Sequence, residues 1–338
     1  LHTHLRRGVS PDGTRPPLVF VPVVIAARHG YYDCLVSARG LVYFLATGVI
    51  WGTPYFFIAI AIEEFSTASI VWIRVAIGSL VLLPLALYRK AFLPALKAWR
   101  YVLGFAVLEM VVPWALITEA ERSVSSSLAG LLITTVPFIA AFTIGLLGDR
   151  SAWHPMTVLG LVLGFSGVVA LVGIDAFSGR IAVLPVVMLL GAATGYALAP
   201  IIADRKLHDV PTLGVITLSM MMVTVVYTIP AAFTLPGDIA AGISGQAVTA
   251  VLYLGVVASA LGFIFFFALI KEVGPGRATL ITYVNVVVAI ILGVVFLAEP
   301  LTPGFLVGFP LVVVGSYLAS QRRSAYVRKR DRLKDPTG

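Results

Sequence analysis

Two ionisable side chains lie deep inside apolar stretches of the sequence, Arg74 in "SIVWIRVAIGSL" and Glu109 in "FAVLEMVVPWAL". Ionisable residues within membrane-crossing segments face a protein interior or a cavity, and they mark substrate sites, ion pathways or proton relays. Glu109 is therefore a candidate for contact with a substrate or with a coupling proton. The alternative is a structural ion pair, because two long side chains can bridge the small difference in depth expected between Arg74 and Glu109.

Prolines inside the same apolar stretches add free backbone carbonyls. A helical proline leaves the carbonyl four residues earlier without its donor and kinks the helix. In a membrane, such carbonyls persist where neighbouring helices or a cavity satisfy them. The prolines placed in this way are Pro54, Pro113, Pro137 and Pro200. Pro113 frees the carbonyl of Glu109 itself, so a carboxylate and a free carbonyl coincide there. The alternative role of each proline is to shape helix packing.

Aromatic and polar residues of these stretches complete the candidate site. Aromatic rings suit the apolar lining of a pocket, whereas those near helix ends serve as interface anchors. Hydroxyl and amide groups can bind a substrate, but they also hold helices together. We predict a substrate-binding set formed by Glu109, Trp51, Thr134, Tyr196, Ser259, Tyr283 and Asn285, with Arg74 as a structural or coupling charge. The sequence predicts no catalytic residue, no metal ligand and no cofactor.

The composition indicates the kind of protein that positions these residues. Of the 338 residues, 59% are hydrophobic and 12% are charged, and the mean hydropathy is +1.00. Soluble domains are about 45–50% apolar and about 25% charged. A chain this apolar needs lipid as its solvent, so we expect an all-α polytopic membrane protein. The single cysteine, Cys34, excludes an internal disulfide framework.

Ten apolar stretches have the length of membrane-crossing helices. A helix needs about 20 residues to cross a bilayer, whereas the strands of a membrane β-barrel are about 10 residues long and alternate in polarity. Inside lipid, each segment must satisfy its own backbone hydrogen bonds, so these stretches are predicted to be helical. The predicted spans are 41–62, 67–88, 101–118, 125–147, 154–173, 182–203, 212–235, 247–270, 278–298 and 303–320.

Basic residues fall almost entirely on one side of this ten-span topology. With the N-terminus inside, Arg122 and Arg180 lie outside, Arg74 lies within a span, and the rest of the 24 Lys and Arg residues lie inside. This distribution follows the positive-inside rule, so both termini are predicted to be cytoplasmic, in a plasma (inner) membrane protein. It also accounts for the net charge of +8 without a nucleic-acid partner.

The two ends of the chain lie outside the predicted spans. Residues 1–39 form a poorly defined N-terminal tail, and their short apolar piece has too few residues to cross a bilayer. We interpret this segment as a flexible tail or as the product of a misplaced start codon. Residues 321–338 form a basic tail, expected on the cytoplasmic side near anionic lipid.

An internal repeat divides the spans into two groups of five. The stretch "LLGDRSAWHPMTVLGLVLGFSG" resembles "FLAEPLTPGFLVGFPLVVVGSY", and in each an acidic residue, Asp149 or Glu299, precedes a short break and a glycine-containing helix. Because five is odd, the second copy enters the membrane from the opposite face. The predicted repeats are 40–173 and 174–320. Inverted repeats of this kind are a signature of secondary transporters, whose sites lie between the two halves.

The order of these features resembles the EamA-type family of the drug/metabolite transporter (DMT) superfamily. The stretches that carry the resemblance are "ATGVIWGTPYFFIAIAIEEFS", "IVWIRVAIGSLVLLPLAL", with Arg74 at the family's arginine position, and "SSSLAGLLITTVPFIAAFTIGLLGDR", with Pro137 in mid-helix. The second half has Val286 where the first half has Pro137, so we expect a straighter ninth helix. The resemblance implies a ten-helix, two-repeat transporter of small metabolites.

These features predict a secondary transporter that exports a small metabolite, such as an amino acid, across the plasma membrane by alternating access. One alternative is a proton-coupled multidrug exporter with Glu109 as the carrier group, and another is a membrane scaffold or sensor that transports nothing. An enzyme is not expected, because the spans hold no cluster of His, Asp and Glu residues and the chain has no P-loop. The expected partners are a small-molecule substrate and the lipid bilayer, for a monomer or a homodimer.

Overall fold

A computed structural model describes residues 38–147, 153–177, 183–273, 278 and 280–334 of the chain. The N-terminal tail predicted over residues 1–39 lies almost entirely outside the described residues. Asp149, the predicted counterpart of Glu299, lies outside them as well.

Helices form all of the regular secondary structure in these described ranges. Seven helices are long and apolar enough to cross a membrane: α1 (Ala38–Ala61), α2 (Thr67–Tyr88), α3 (Trp99–Ala120), α4 (Ser126–Leu146), α6 (Val183–Lys206), α7 (Thr212–Ala241) and α8 (Gly245–Val273). Shorter apolar stretches occur in α5 (Pro155–Phe177), α9 (Ile281–Phe296) and α10 (Pro303–Lys334). A six-residue helix, Phe92–Lys97, lies between α2 and α3. The expected all-α, multi-pass architecture is thus confirmed, while ten crossings stay a prediction.

The last helix is longer than the sequence suggested. We expected the tenth span to end near Ser320 and a separate tail to follow, but α10 continues to Lys334. The added segment, "QRRSAYVRKRDRLK", contains neither glycine nor proline and is rich in good helix formers. Its composition therefore continues the helix beyond the apolar stretch.

Two of the long helices are broken where prolines occur. In α1 the break falls at Thr53, directly before Pro54. In α4 it falls at Thr134 and Thr135, shortly before Pro137. By contrast, α9 runs unbroken through Val286, as expected from the missing proline.

Two other helices widen into π-helical turns. The first, Val107–Val111, lies in α3 just before Pro113, and the second, Leu254–Leu261, lies in α8. A π-turn leaves backbone carbonyls without their usual partner and is found often at functional sites. Aromatic side chains of other helices satisfy two of these carbonyls: the Tyr227 hydroxyl donates to Val111 at 2.8 Å, and the Trp51 indole N–H donates to Ala258 at 3.1 Å.

Glycines bring two helices, α5 and α10, into backbone contact. A Cβ added to Gly315 would lie 2.3 Å from the backbone nitrogen of Gly164, and one on Gly167 would lie 2.7 Å from that of Val312. Any side chain at these positions would separate the two helices. The closest packing elsewhere joins α2 with α7, α3 with α6, α1 with α8 and α9, and α4 with α6 and α9.

Candidate functional site

Arg74 lies at the junction of three helices. Its Nε donates to the Ser259 hydroxyl in the π-turn of α8 at 2.9 Å, and its guanidinium carbon lies 3.7 Å from the centroid of the Trp114 ring in α3. Ser259 in turn donates to the carbonyl of Leu254 at 2.8 Å. Arg74 is only 8% exposed, so this positive charge is held by a hydroxyl and an aromatic face.

The described residues contain no ion pair between Arg74 and Glu109, the alternative considered for these two side chains. Among the described residues, the ion pairs are Arg122–Glu119 and His208–Asp209, and both are on exposed side chains. Arg74 instead contacts Trp114, which follows Glu109 by more than one helical turn. The guanidinium is therefore directed past the carboxylate along α3, and Glu109 is left to another role.

Glu109 lies in the π-turn of α3 and is partly exposed. Its carboxylate has no hydrogen bond or ion pair within the described structure. Tyr196 of α6 lies within electrostatic range of both Glu109 and Arg74. Glu109 is thus not required to hold the fold together, which leaves its oxygens free to meet a ligand.

Trp51 and Tyr196 lie in the same region as Arg74. The Trp51 ring packs against Phe263 and Phe266, with centroid distances of 5.2 and 4.7 Å. Its indole N–H donates a hydrogen bond to the carbonyl of Ala258. Tyr196 packs against both of the large hydrophobic clusters. Tyr196 also interacts with Trp114, Arg74 and Glu109. We name Arg74, Glu109, Trp114, Tyr196 and Ser259 the central polar cluster.

The other predicted site residues make contacts elsewhere. Thr134 donates to the carbonyl of Leu131 at 2.6 Å, and its own carbonyl accepts a hydrogen bond from Ser316 of α10 at 2.7 Å. Asn285, with its amide oriented to satisfy its hydrogen bonds, donates to the carbonyls of Gly48 at 2.8 Å and Ile281 at 3.0 Å. These bonds tie α4 to α10 and α9 to α1.

Tyr283 packs edge-on against Tyr317, with ring centroids 6.2 Å apart. The hydrogen bonds of Thr134 and Asn285 described above involve no residue of the central polar cluster. Their part in substrate binding stays a prediction.

Two residues of the central region, Trp114 and Glu121, were not among the predicted site residues. Both share a face of α3 with buried Met110 and Ile117, since 110, 114, 117 and 121 follow the spacing of one helix face. This spacing was the available signal. For Glu121 the spacing was not informative, because the apolar stretch ends before that residue.

One end of the bundle carries most of the acidic residues of the described loops, and we call it the acidic end. It is defined by Glu63, Glu64, Glu119, Glu121, Asp238 and Glu299. Three of these carboxylates bind backbone N–H groups at or next to helix starts. Asp238 accepts from the N–H of Ser66 at 3.1 Å and from its hydroxyl at 2.9 Å, and Glu64 accepts from the N–H of Ser244 at 2.6 Å.

Glu299 binds the start of α4 in the same manner. One of its oxygens accepts from the N–H and hydroxyl of Ser126 at 2.7 and 2.8 Å, and the other accepts from the N–H and hydroxyl of Ser127. A helix N-terminus favours negative charge because its first N–H groups are unpaired and its dipole is positive there. The acidic end therefore joins loops that are far apart in sequence.

Apolar helices long enough to cross a bilayer, several of them broken before prolines or widened into π-turns, define a multi-pass membrane protein. The family model described as the EamA-like transporter family matches twice, over residues 38–173 and 183–321. The chain belongs to the EamA-like transporter family.

Two relatives show how far the similarity extends. An uncharacterized transporter of Bacillus subtilis (strain 168), YvbV, is 26% identical over 278 residues, which cover 82% of this chain and 90% of YvbV. An uncharacterized inner membrane transporter of Escherichia coli (strain K12), YedA, is 27% identical over 288 residues, covering 80% of this chain and 89% of YedA.

A protein known from its crystal structure has the same fold. It superposes with a TM-score of 0.58 at 19% identity, over 85% of this chain and 98% of that one. The membrane and transporter character expected from the sequence is thereby confirmed at the level of family and fold.

Proposed function

We propose that the protein is a secondary transporter that exports a small metabolite, such as an amino acid or a related compound, across the plasma membrane by alternating access. The observation that carries this proposal is the contact of Arg74 in α2 with Ser259 in the π-turn of α8. This contact joins the two family-matched segments at a buried, polar point. A transporter needs its site at such an interface, because the two segments must move relative to each other around the bound substrate.

The packing pattern supports two related halves of five helices. If each helix i corresponds to helix i+5, then α1 with α8 corresponds to α6 with α3, and α1 with α9 corresponds to α6 with α4. Both members of each pair of contacts are present. The π-turns also occur in corresponding helices, α3 and α8. We propose ten crossings in two inverted repeats, over 40–173 and 174–320.

The acidic end is proposed to face the outside. The positive-inside distribution places its loops there, and YedA is described as an inner membrane transporter. In this conformation, Asp238, Glu64 and Glu299 fasten loops of the first repeat to loops of the second. We therefore assign the structure to a state that is closed on the outside, with cytoplasmic termini.

A proton-coupled multidrug exporter is the second candidate. It is favoured by the Glu109 carboxylate, which has no hydrogen bond or ion pair in the described structure and lies among apolar residues of α3. A carboxylate in such surroundings suits a cationic drug or a proton. Monomer and homodimer are both compatible with this function.

Reconstitution into vesicles tests the function directly. Labelled amino acids, other metabolites and cationic drugs are screened for flux, with and without a pH gradient. We expect flux of an amino acid or related metabolite, and its loss in Ser259→Ala combined with Arg74→Gln. Flux limited to cationic drugs, and abolished by Glu109→Gln, would favour the second candidate. Folded protein without flux of any compound would support a scaffold or sensor.

A further inference from the structure

Glu121 is a buried acid without a partner. It follows the last residue of α3 and is only 5% exposed, yet neither of its carboxylate oxygens has a hydrogen-bond partner in the described structure. An isolated ionised carboxylate is very costly to bury, so such a group either binds a cation or takes up a proton.

The ionisable groups that face Glu121 come from three other parts of the fold. Glu299 lies in the loop after α9, Arg74 in α2 and Tyr55 in α1, and each is within electrostatic range of Glu121. Burial first, and the charge of Glu299 second, raise the pKa of the Glu121 carboxyl well above its usual value, while Arg74 opposes them. The guanidinium of Arg74 is already held by Ser259 and Trp114.

The position of Glu299 is built into the backbone. The preceding residue, Ala298, has a φ of 52°, a left-handed conformation that residues with a side chain adopt at a cost. A Cβ on Gly293 would lie 2.2 Å from a Glu299 oxygen, so a glycine is needed there to admit the carboxylate. Strain and close approach are maintained where a group must be placed accurately.

We propose that Glu121 and Glu299 form a proton-binding pair at the acidic end, in which Glu121 carries the proton and Glu299 remains the carboxylate bound to α4. All four hydrogen bonds of Glu299 are donated to it, as suits an ionised acid. Neither carboxylate oxygen of Glu121 has a hydrogen-bond partner, and the negative charge of neighbouring, half-buried Glu299 disfavours ionisation of the buried Glu121. The proton comes from water as the acidic end closes and returns to water when opening hydrates Glu121 and the carboxyl ionises.

A coupling role follows if the proposed function holds. Glu121 lies within electrostatic range of Arg74, so its protonation state changes the field at the central polar cluster. Opening the acidic end would hydrate Glu121 and release its proton, whereas closure requires the proton again. The pair thereby links closure of the proposed outer side to proton uptake from that side.

Infrared difference spectroscopy of the protein in a detergent without ester groups tests the proton site without any substrate. At neutral pH, the wild-type spectrum is expected to contain a carboxylic-acid C=O band that is missing from the Glu121→Gln spectrum and retained in that of Glu119→Gln, the matched control at an exposed acid of the same helix end. A wild type and a Glu121→Gln variant with the same carboxylic-acid bands would overturn the proposal.

A second variant keeps the test decisive if Glu121→Gln does not fold. Glu299→Gln removes the neighbouring charge but keeps an acceptor oxygen, so the Glu121 band should disappear at lower pH than in the wild type. An unchanged titration of the Glu121 band would count against the pair.

The coupling role is tested separately, by loss of the pH dependence of labelled amino-acid flux in Glu121→Gln. Absence of flux in the wild type would contradict the proposed function and leave the infrared result valid.

Discussion

At the scale of single residues, the central polar cluster depends on how the charge of Arg74 is satisfied. The guanidinium is shared between a hydrogen bond to Ser259 and the face of Trp114. A cation over an aromatic ring contributes about 2 kcal/mol when it is removed from water. The cluster therefore holds a buried cation without a carboxylate partner, and this leaves Glu109 unpaired and the cation's field available to an anionic substrate group.

Replacing Ser259 by alanine should destabilise the protein measurably. The Nε of Arg74 would lose its acceptor while remaining buried, which costs about 1–3 kcal/mol. Thermal unfolding in detergent should show a lower midpoint for Ser259→Ala than for Ser123→Ala, a control at an exposed serine. Equal midpoints would mean that the hydrogen bond contributes nothing to stability.

Glu121 should make stability depend on pH. The pKa of its carboxyl is raised in the folded protein above the usual value of 4.5, mainly by burial. Between these two values the folded state binds more protons than the unfolded state, so stability falls as pH rises, by up to about 1.4 kcal/mol per pH unit. Midpoints measured at about pH 5 and about pH 8 should differ less in Glu121→Gln than in the wild type and Glu119→Gln. The same pH dependence of the unfolding midpoint in the wild type and both variants would contradict the role of Glu121.

The candidate site was predictable where a charge interrupts an apolar stretch. Arg74 and Glu109 stand out for this reason, and Ser259 was named as a hydrogen-bonding group. The direction in which Arg74 extends was not predictable, because it depends on Trp114 and on a π-turn in a helix far along the chain. Glu121 was missed because it lies one residue beyond the end of α3.

At the scale of elements, proline positions were informative in part, since α6 runs unbroken through Pro200, and the π-turns were not predicted. The breaks at Thr53 and Thr134 precede Pro54 and Pro137, as a missing N–H requires. The sequence of the π-turn in α8 contains no proline from which the turn could have been predicted. Its freed carbonyl at Ala258 is satisfied by Trp51, which is more than 200 residues away, so no local pattern encodes the contact.

The glycine contacts between α5 and α10 should tolerate no side chain. In Gly315→Ala, the added Cβ would meet the backbone nitrogen of Gly164 at 2.3 Å, and backbone cannot move aside cheaply. We expect a loss of about 1–3 kcal/mol or more, seen as a lower unfolding midpoint in detergent. Gly237→Ala in α7 is the matched control, since a Cβ there meets nothing within 4 Å. Equal effects of the two substitutions would argue against close packing of α5 and α10.

At the scale of the whole molecule, the hydrogen bonds of the acidic end hold one face of the bundle closed. Asp238, at one end of α7, binds Ser66 at the start of α2, and nearby Ser69 and Thr234 share a hydrogen bond of 2.9 Å between the same two helices. These contacts are few and polar, so they can be broken and remade at modest cost. They suit a face that must open during each transport cycle.

Removing the Asp238 carboxylate should favour the open face. In Asp238→Ala, the N–H and hydroxyl of Ser66 lose their acceptor, and the population of open molecules should rise several-fold for a loss of about 1 kcal/mol. Ser69→Cys, placed in a chain with Cys34 replaced by serine, should then react faster with a membrane-impermeant maleimide. Asp209→Ala, at an exposed loop residue, serves as the control. No change in labelling rate would exclude a closing role for Asp238.

The contact of α5 with α10 also sets an order for biosynthesis. Ribosomes deliver α5 to the membrane long before α10, because four helices and their loops are made in between. Until then, the glycine face of α5 lacks the helix that packs against its backbone. The first half of the molecule is thus completed by the last helix to be made, and a chain that terminates prematurely before Pro303 would leave α5 unpaired and become a substrate for membrane proteases.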